Sequence, residues 1–303
     1  MRKIAFCVSL LAVLPAVHAN ASEPSFVDVE GGRLSYESCS PKNYTRTIVL
    51  VHDGIVDSAV WNGVWPILCK KFRTVRFDER GYGNSPQSTL PYSSVDDISK
   101  LMNALRIERA ILVASSANGG RAMALALNHP EAVDVLVVSG PSVPGVPYSD
   151  DFIKLLTPLG ESVVKGDIQG AMAAVEQCPF CVAPKNAKAR QQLMALLHDH
   201  PQDLQTRPLE KSGESIADRL SDLKMPTLII VGDADHPNNL NHARIAHEMI
   251  HQSSLGHHQR CRAFAISGTS EGIRTPRHRF HRSALILFPR LAGEPGHENA
   301  KRS

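Results

Sequence analysis

Ile111-Leu112-Val113-Ala114-Ser115-Ser116-Ala117-Asn118-Gly119-Gly120-Arg121 is the stretch on which the reading of this 303-residue chain turns. An apolar run of the kind buried on both faces of a parallel sheet passes into small residues and a serine, and two glycines then open a helix. Small neighbours permit a strained strand-to-helix turn that lifts a serine hydroxyl above the sheet edge. The helix N-terminus adds backbone N–H groups and the positive end of a dipole where an oxyanion would form.

Outward from this stretch the same alternation repeats. Thr47-Ile48-Val49-Leu50-Val51-His52 is a near-continuous β-branched run, and residues 74–78, 133–138 and 227–231 are similar. Helical patterns lie at 95–105, 121–127 and 241–250. Strands alternating with helices imply a parallel sheet built from right-handed crossovers. Before it, Phe26-Val27-Asp28-Val29 and Leu34-Ser35-Tyr36 alternate around Gly31-Gly32 as a hairpin does. Residues 141–147, with three prolines and Gly145, interrupt the series. The following seventy or so residues carry helical stretches at 151–156, 161–176 and 186–198 and no convincing strand, which predicts a helical insertion before Lys224-Met225-Pro226 restarts the sheet.

With these elements in place, several motifs resemble the α/β-hydrolase superfamily over roughly residues 26–254. Val51-His52-Asp53-Gly54 with Trp61 is similar to the family's oxyanion loop, although Asp53 intervenes where His-Gly is usual. Asp78-Glu79-Arg80-Gly81-Tyr82-Gly83-Asn84-Ser85 matches D-x-R-G-x-G-x-S. Asn128-His129-Pro130 and Pro226-Thr227-Leu228-Ile229-Ile230-Val231-Gly232-Asp233-Ala234-Asp235 continue the family order. The resemblance implies a mostly parallel sheet flanked by helices with a helical cap. Its segments are a core at 20–144 and 221–255, a cap at 145–220 and an atypical basic C-terminal segment at 256–303.

The family's G-x-S-x-G-G can be counted in two ways. From the strand, Ser116 is the nucleophile; back from Gly119-Gly120, Ala117 takes that place and no nucleophile exists. The counts differ by one residue, which implies an insertion on one side of the serine. Strand register is fixed by burial, so Ser116 is preferred, and Asn118 then stands where a small residue is normal. The resemblance further implies an oxyanion hole from the backbone N–H of Ala117 with one from Asp53, Gly54 and their loop. It implies Asp235 as the acid that orients an imidazole, with Asp233 as the fallback. Where the family has histidine, after Ala263-Phe264-Ala265-Ile266-Ser267-Gly268-Thr269, this chain has Glu271. A glutamate cannot relay the serine proton near neutral pH unless its pKa is raised by units. His278 and His281 are the nearest alternative bases; His257, His258 and His297 are also present in the segment.

Composition bounds the remaining classes. Apolar residues make up 43% and charged ones 21%, with 20 glycines and 20 prolines, which excludes collagen-like and wholly disordered chains. No apolar run is long enough to span a membrane. The net charge of +3 conceals nine basic against three acidic residues in 255–303 and 22 against 27 in 20–254, so nucleic-acid binding by the fold is not expected. Arg2 and Lys3, the apolar stretch 4–17 and Val17-His18-Ala19 read as a signal peptide over 1–19, hence a periplasmic or secreted protein. Cleavage would remove Cys7 and leave Cys39, Cys69, Cys178, Cys181 and Cys261, an odd number. Cys178-Pro179-Phe180-Cys181 has redox spacing without the strand context of a redox motif, so a local disulfide or free thiols are expected. No metal-ligand spacing or phosphate-binding glycine motif occurs, and no cofactor is expected. The expectation is hydrolysis of a small-molecule ester or lactone by Ser116; its rival is a silent binding protein that keeps the fold without the histidine. Carbon–carbon or carbon–halogen chemistry on the same fold stays open, and the substrate is unreadable.

Overall fold

Residues 110–115 are buried throughout, and their side chains alternate between two cores. Ala110, Leu112 and Ala114 face one side of a sheet, and Ile111 and Val113 face the other. This period of two is that of a strand covered on both faces. Val49, Val51, Ile229 and Val231 join the first core, and Ile48, Leu50, Leu228 and Ile230 join the second.

The computed structural model describes residues 24–181, 187–258 and 273–274. Its elements in chain order are β1 (Ser25–Val29), β2 (Gly32–Cys39), β3 (Thr47–Val51), α1 (Trp65–Leu68), β4 (Arg73–Phe77), α2 (Ser94–Ala104), β5 (Ala110–Ser115) and α3 (Ala117–Asn128). Then follow β6 (Val133–Ser139), α4 (Asp150–Lys165), α5 (Ile168–Gln177), α6 (Ala187–Asp199), β7 (Thr227–Gly232), α7 (Pro237–Met249), β8 (Ser253–His258) and β9 (Ile273–Arg274). They form one sheet in the order β1-β2-β4-β3-β5-β6-β7-β8-β9. The six strands from β4 to β8 in that order run parallel, and β1, β2 and β9 attach antiparallel at the edges. The loops that follow the parallel strands therefore gather at one edge, where open α/β sheets place their sites.

Helices cover both faces. Ile98 and Leu101 of α2, Met123 and Leu125 of α3, and Ala243 and Ala246 of α7 pack on the first core. Trp61, Leu68 and Phe72 pack on the second, joined by Ala171, Met172 and Val175 of α5 and Leu193 and Leu197 of α6. The helical stretch expected between the strands is present as α4, α5 and α6, but its helices divide differently. α4 runs through Pro158 to Lys165 and ends at Gly166, whose φ of +70° is left-handed. Asp167 then caps α5 by accepting from the Gly170 N–H at 2.9 Å. A left-handed glycine followed by a capping aspartate ends one helix and starts the next.

Two other helices begin earlier than their apolar pattern suggests. α7 starts at Pro237, a residue suited to a first helical position, and α3 starts at Ala117. Residues 263–269, which precede the family's histidine place, lie outside the described residues, as do residues 1–19. On the side away from β6, β7 pairs in parallel with β8, at 253–258. Disulfides join Cys39 to Cys69 and Cys178 to Cys181, so the second pair is the local disulfide rather than two thiols. Among the described residues no helix is long and apolar enough to cross a membrane.

Candidate active site

β5 ends at Ser115, and Ser116 follows at φ +55° and ψ −127°, one of two residues other than glycine with positive φ among the described residues. A serine held there costs about 1–3 kcal/mol. Its backbone is pinned on both sides: Ser116 N–H donates to the Ser139 carbonyl at 2.9 Å, and its carbonyl accepts from Gly119 at 2.9 Å and Ser142 at 3.1 Å. α3 begins at the next residue. Ser116 is thus the turn between strand and helix. Asn118 and Gly119 stand where the family pattern has its glycine pair.

The second glycine of the chain's own pair is needed for another reason. A Cβ on Gly120 would lie 2.5 Å from the Ser142 carbonyl oxygen, and one on Gly119 would lie 2.9 Å from Pro141 Cβ. Both allow α3 to press against the loop after β6. Asn118 is fully buried and ties the turn to two other loops. Its Nδ2 donates to the His52 carbonyl at 2.7 Å and to Glu79 Oε2 at 3.0 Å. Arg121 donates to Glu79 at 2.9 Å and also to Asn118 Oδ1 and Glu210. Burial alone would pull the Arg121 pKa down, but the two glutamates hold it above its ordinary value. No sequence motif marks Asn118, and a capable amide at a glycine position was the only signal.

The loop after β3 reaches the same turn. Asp53 is buried, and its Oδ1 accepts from the Ile55 N–H at 3.0 Å. Burial pushes the Asp53 carboxyl up to about 6, against the lowering effect of the Ile55 hydrogen bond and of His52. Gly54 lies close to Ala117, since a Cβ built on it would sit 3.6 Å from the Ala117 Cβ. Its carbonyl accepts from the Tyr82 hydroxyl at 2.5 Å. His52 Nε2 accepts from the Glu79 N–H at 3.0 Å, so the ring proton is on Nδ1, which donates to the Asp53 carbonyl at 2.6 Å. As the first residue of α3, Ala117 has an N–H without an acceptor inside the helix. Of the expected oxyanion-hole positions, Ala117 follows Ser116 directly, and Gly54, next to Asp53 in the loop after β3, lies against Ala117.

Asp235 lies on the loop after β7, two strands from β5 and so about 10 Å across the sheet. It is buried, and its Oδ1 accepts from the His236 N–H at 2.7 Å and Asn239 Nδ2 at 2.9 Å. Asp233 is half exposed and stands 3.4 Å from His257 Nδ1. Burial and fixed geometry separate the two carboxylates and favour Asp235 as an orienting group. Glu271, His278 and His281 lie outside the described residues. Among the described residues no group of three or more His, Cys, Asp or Glu side chains could hold a metal ion.

A family model described as alpha/beta hydrolase fold matches residues 47–264. The chain belongs to the α/β-hydrolase-fold family. Among curated relatives, RutD of Caulobacter sp. (strain K31) is 42% identical over 98 residues, which are 31% of this chain and 37% of that protein. The chain thus spans well under half the length of the relative it matches there. A 2-hydroxy-6-oxononadienedioate/2-hydroxy-6-oxononatrienedioate hydrolase of Paraburkholderia phymatum is 27% identical over 72% of this chain and 81% of its own. An enol-lactonase from Burkholderia xenovorans LB400 superposes with a TM-score of 0.66 at 19% identity, over 77% of this chain and 90% of that one. Such a likeness speaks for the fold alone.

Proposed function

We propose that this chain hydrolyses a carboxylic ester or lactone by acyl transfer through Ser116. The observation that carries the reading is the Ser116 backbone itself. A serine held at positive φ, between a fully buried strand and a helix N-terminus, bears a strain that packing does not require and nucleophilic attack does. Gly54 and Ala117 supply N–H groups for the oxyanion, and Asp235 orients the base. For that base the C-terminal segment offers His278 and His281, with Glu271 at the family's histidine place. The enol-lactonase and the 2-hydroxy-6-oxononadienedioate/2-hydroxy-6-oxononatrienedioate hydrolase that it resembles act, by their names, on small carbonyl compounds, which supports a small-molecule substrate. Two disulfides suit an oxidising compartment and support export after cleavage near Asn20.

An alkyl fluorophosphonate tests this. The protein recovered from periplasm or medium should have the mass of a chain beginning near Asn20 and should carry one label, on Ser116, and Ser116→Ala should carry none. Glu271 in the histidine's place favours a second reading, a binding protein with no turnover. That reading predicts neither label nor p-nitrophenyl ester burst.

A further inference from the structure

We infer that Asn118 and Arg121 are positioning residues for acyl transfer: Asn118 locks the two halves of the oxyanion hole to each other, and Arg121 fixes the Asn118 amide from behind; the inference rests on the acyl-transfer reading above.

The two halves come from different loops. The Ala117 N–H opens α3, and the Gly54 N–H lies in the loop after β3. Chain connectivity does not set their separation, and Asn118 does. Its backbone is the second residue of α3, beside Ala117, and its Nδ2 donates to the His52 carbonyl at 2.7 Å. A peptide group is planar, so a held His52 carbonyl holds the plane that leads into Asp53 and Gly54. A Cβ on Gly54 would already meet the Ala117 Cβ at 3.6 Å, so the halves stand side by side. The Tyr82 hydroxyl grips the Gly54 carbonyl at 2.5 Å.

An asparagine can do this in only one of its two amide orientations. Turned over, Oδ1 would face the His52 carbonyl and the Glu79 carboxylate, acceptor against acceptor. Arg121 excludes that orientation by donating to Oδ1, while Glu79 Oε2 accepts from Asn118 Nδ2 at 3.0 Å and from Arg121 at 2.9 Å. Asn118 is fully buried, where an unmade hydrogen bond is costly. Arg121 is held from its far side by Glu210, whose carboxylate also accepts from Ser94 Oγ at 2.8 Å. The backbone on either side of Glu210 is bonded to Tyr92, at 3.0 and 2.8 Å. Filling the space at position 118 would need neither these donors nor the arginine behind them. The back of the network opens into a cavity of about 550 Å³ lined by Arg121, Glu210, Ser94 and Lys211, so a molecule the size of guanidinium can reach it.

The experiment measures p-nitrophenyl acetate hydrolysis by the full chain and its inhibition by trifluoroacetophenone, which adds to Ser116 Oγ as a tetrahedral anion seated in the oxyanion hole. Asn118→Asp replaces the donors by a charged acceptor at nearly the same volume. It should lower kcat about a hundredfold, the scale of a misplaced oxyanion donor, leave KM within about twofold, and weaken the ketone by the same factor as kcat. Arg121→Ala should lower kcat about tenfold in the same way, and millimolar guanidinium, entering the cavity, should restore most of the loss. A residue that only stabilises the fold would shift the urea midpoint without this split between kcat and KM. An unchanged kcat in either variant, or a loss carried by KM, overturns the inference, and so does a loss in Arg121→Ala that guanidinium leaves as it was. Should Asn118→Asp fail to fold, Arg121→Ala with and without guanidinium decides. Absence of both turnover and fluorophosphonate label in the unaltered chain overturns the acyl-transfer reading and this inference with it. Turnover that is indifferent to Asn118 and Arg121 overturns this inference alone.

Discussion

Single residues in this molecule hold loops in place by charge as much as by packing. Arg80, in the D-x-R-G-x-G-x-S stretch, is almost wholly buried, and its guanidinium donates to Asp97 at 2.6 and 2.9 Å. It also reaches the Glu30 carbonyl at 2.7 Å and Ser88 Oγ at 2.8 Å, so one side chain joins the first hairpin, the loop after β4 and helix α2. Such a pair adds little over an apolar replacement of both partners, because two charges have been taken out of water. Removing one partner is different, since the other is left charged and buried. Asp97→Ala should therefore destabilise the chain by about 3–5 kcal/mol, and Asp97→Asn, which keeps an acceptor, by less. Urea unfolding checks this: a midpoint for Asp97→Ala equal to that of the unaltered chain would mean that Arg80 finds water or another partner.

At the scale of elements, the approach of α3 to the loop after β6 is set by the two glycines rather than by the serine. Alanine is a better helix former than glycine by about 1 kcal/mol, so on propensity Gly120→Ala should stabilise. The Cβ would stand 2.5 Å from a backbone oxygen and 2.6 Å from Pro144 Cδ, neither of which can swing away. Overpacking of this kind costs about 1–3 kcal/mol, and the expected outcome is a net loss of stability in thermal melting, with the helix and loop pushed apart. The same residues show what sequence could reveal. β3, β5, β6 and β7 were legible because burial on both faces demands unbroken apolar runs, and the Gly232-to-Asp235 turn was legible because it follows one of them. The place of Ser116 was ambiguous because the glycines answer to packing against Pro141 and Ser142, contacts between residues over twenty positions apart. Asn118 and Asp53 stood out only as departures from the family pattern, and nothing in the sequence showed what they do. The Asn118 bonds to the His52 carbonyl and Glu79 cross between loops that only the folded sheet brings together.

Across the whole molecule, the inserted segment is fastened to the core by ionisable groups, which makes the union sensitive to pH. Its last turn brings His200 onto the Asp57 carboxylate, and Asp203 Oδ1 accepts from the Gly83 N–H at 2.8 Å. Gln202 Nε2 reaches the Gly83 carbonyl at 3.1 Å, so the segment is bound to the glycine turn after β4. Burial, reinforced by the Asp57 charge, pushes the Asp203 carboxyl from 3.8 up to about 7. Its folded form therefore holds a proton that the unfolded chain has released, and the stability this confers is lost as pH rises from about 4 through 7. His200 acts in the same sense: its bond to Asp57 outweighs burial and raises its pKa, so its contribution is present below 6.5 and is lost as pH rises through the folded value. His236 and His242, whose pKa values burial lowers, act in the opposite sense below 6.5, but equally in any variant that leaves them unchanged. Asp203→Asn isolates the effect, since an amide oxygen can accept from Gly83 without ionising. The urea midpoint of Asp203→Asn should match that of the unaltered chain near pH 5 and exceed it at pH 8, where the unaltered chain must keep a buried carboxylate beside Asp57. A difference between the two midpoints that is the same at both pH values would mean that Asp203 is ionised throughout, and that the inserted helices are held to the core by contacts indifferent to protons.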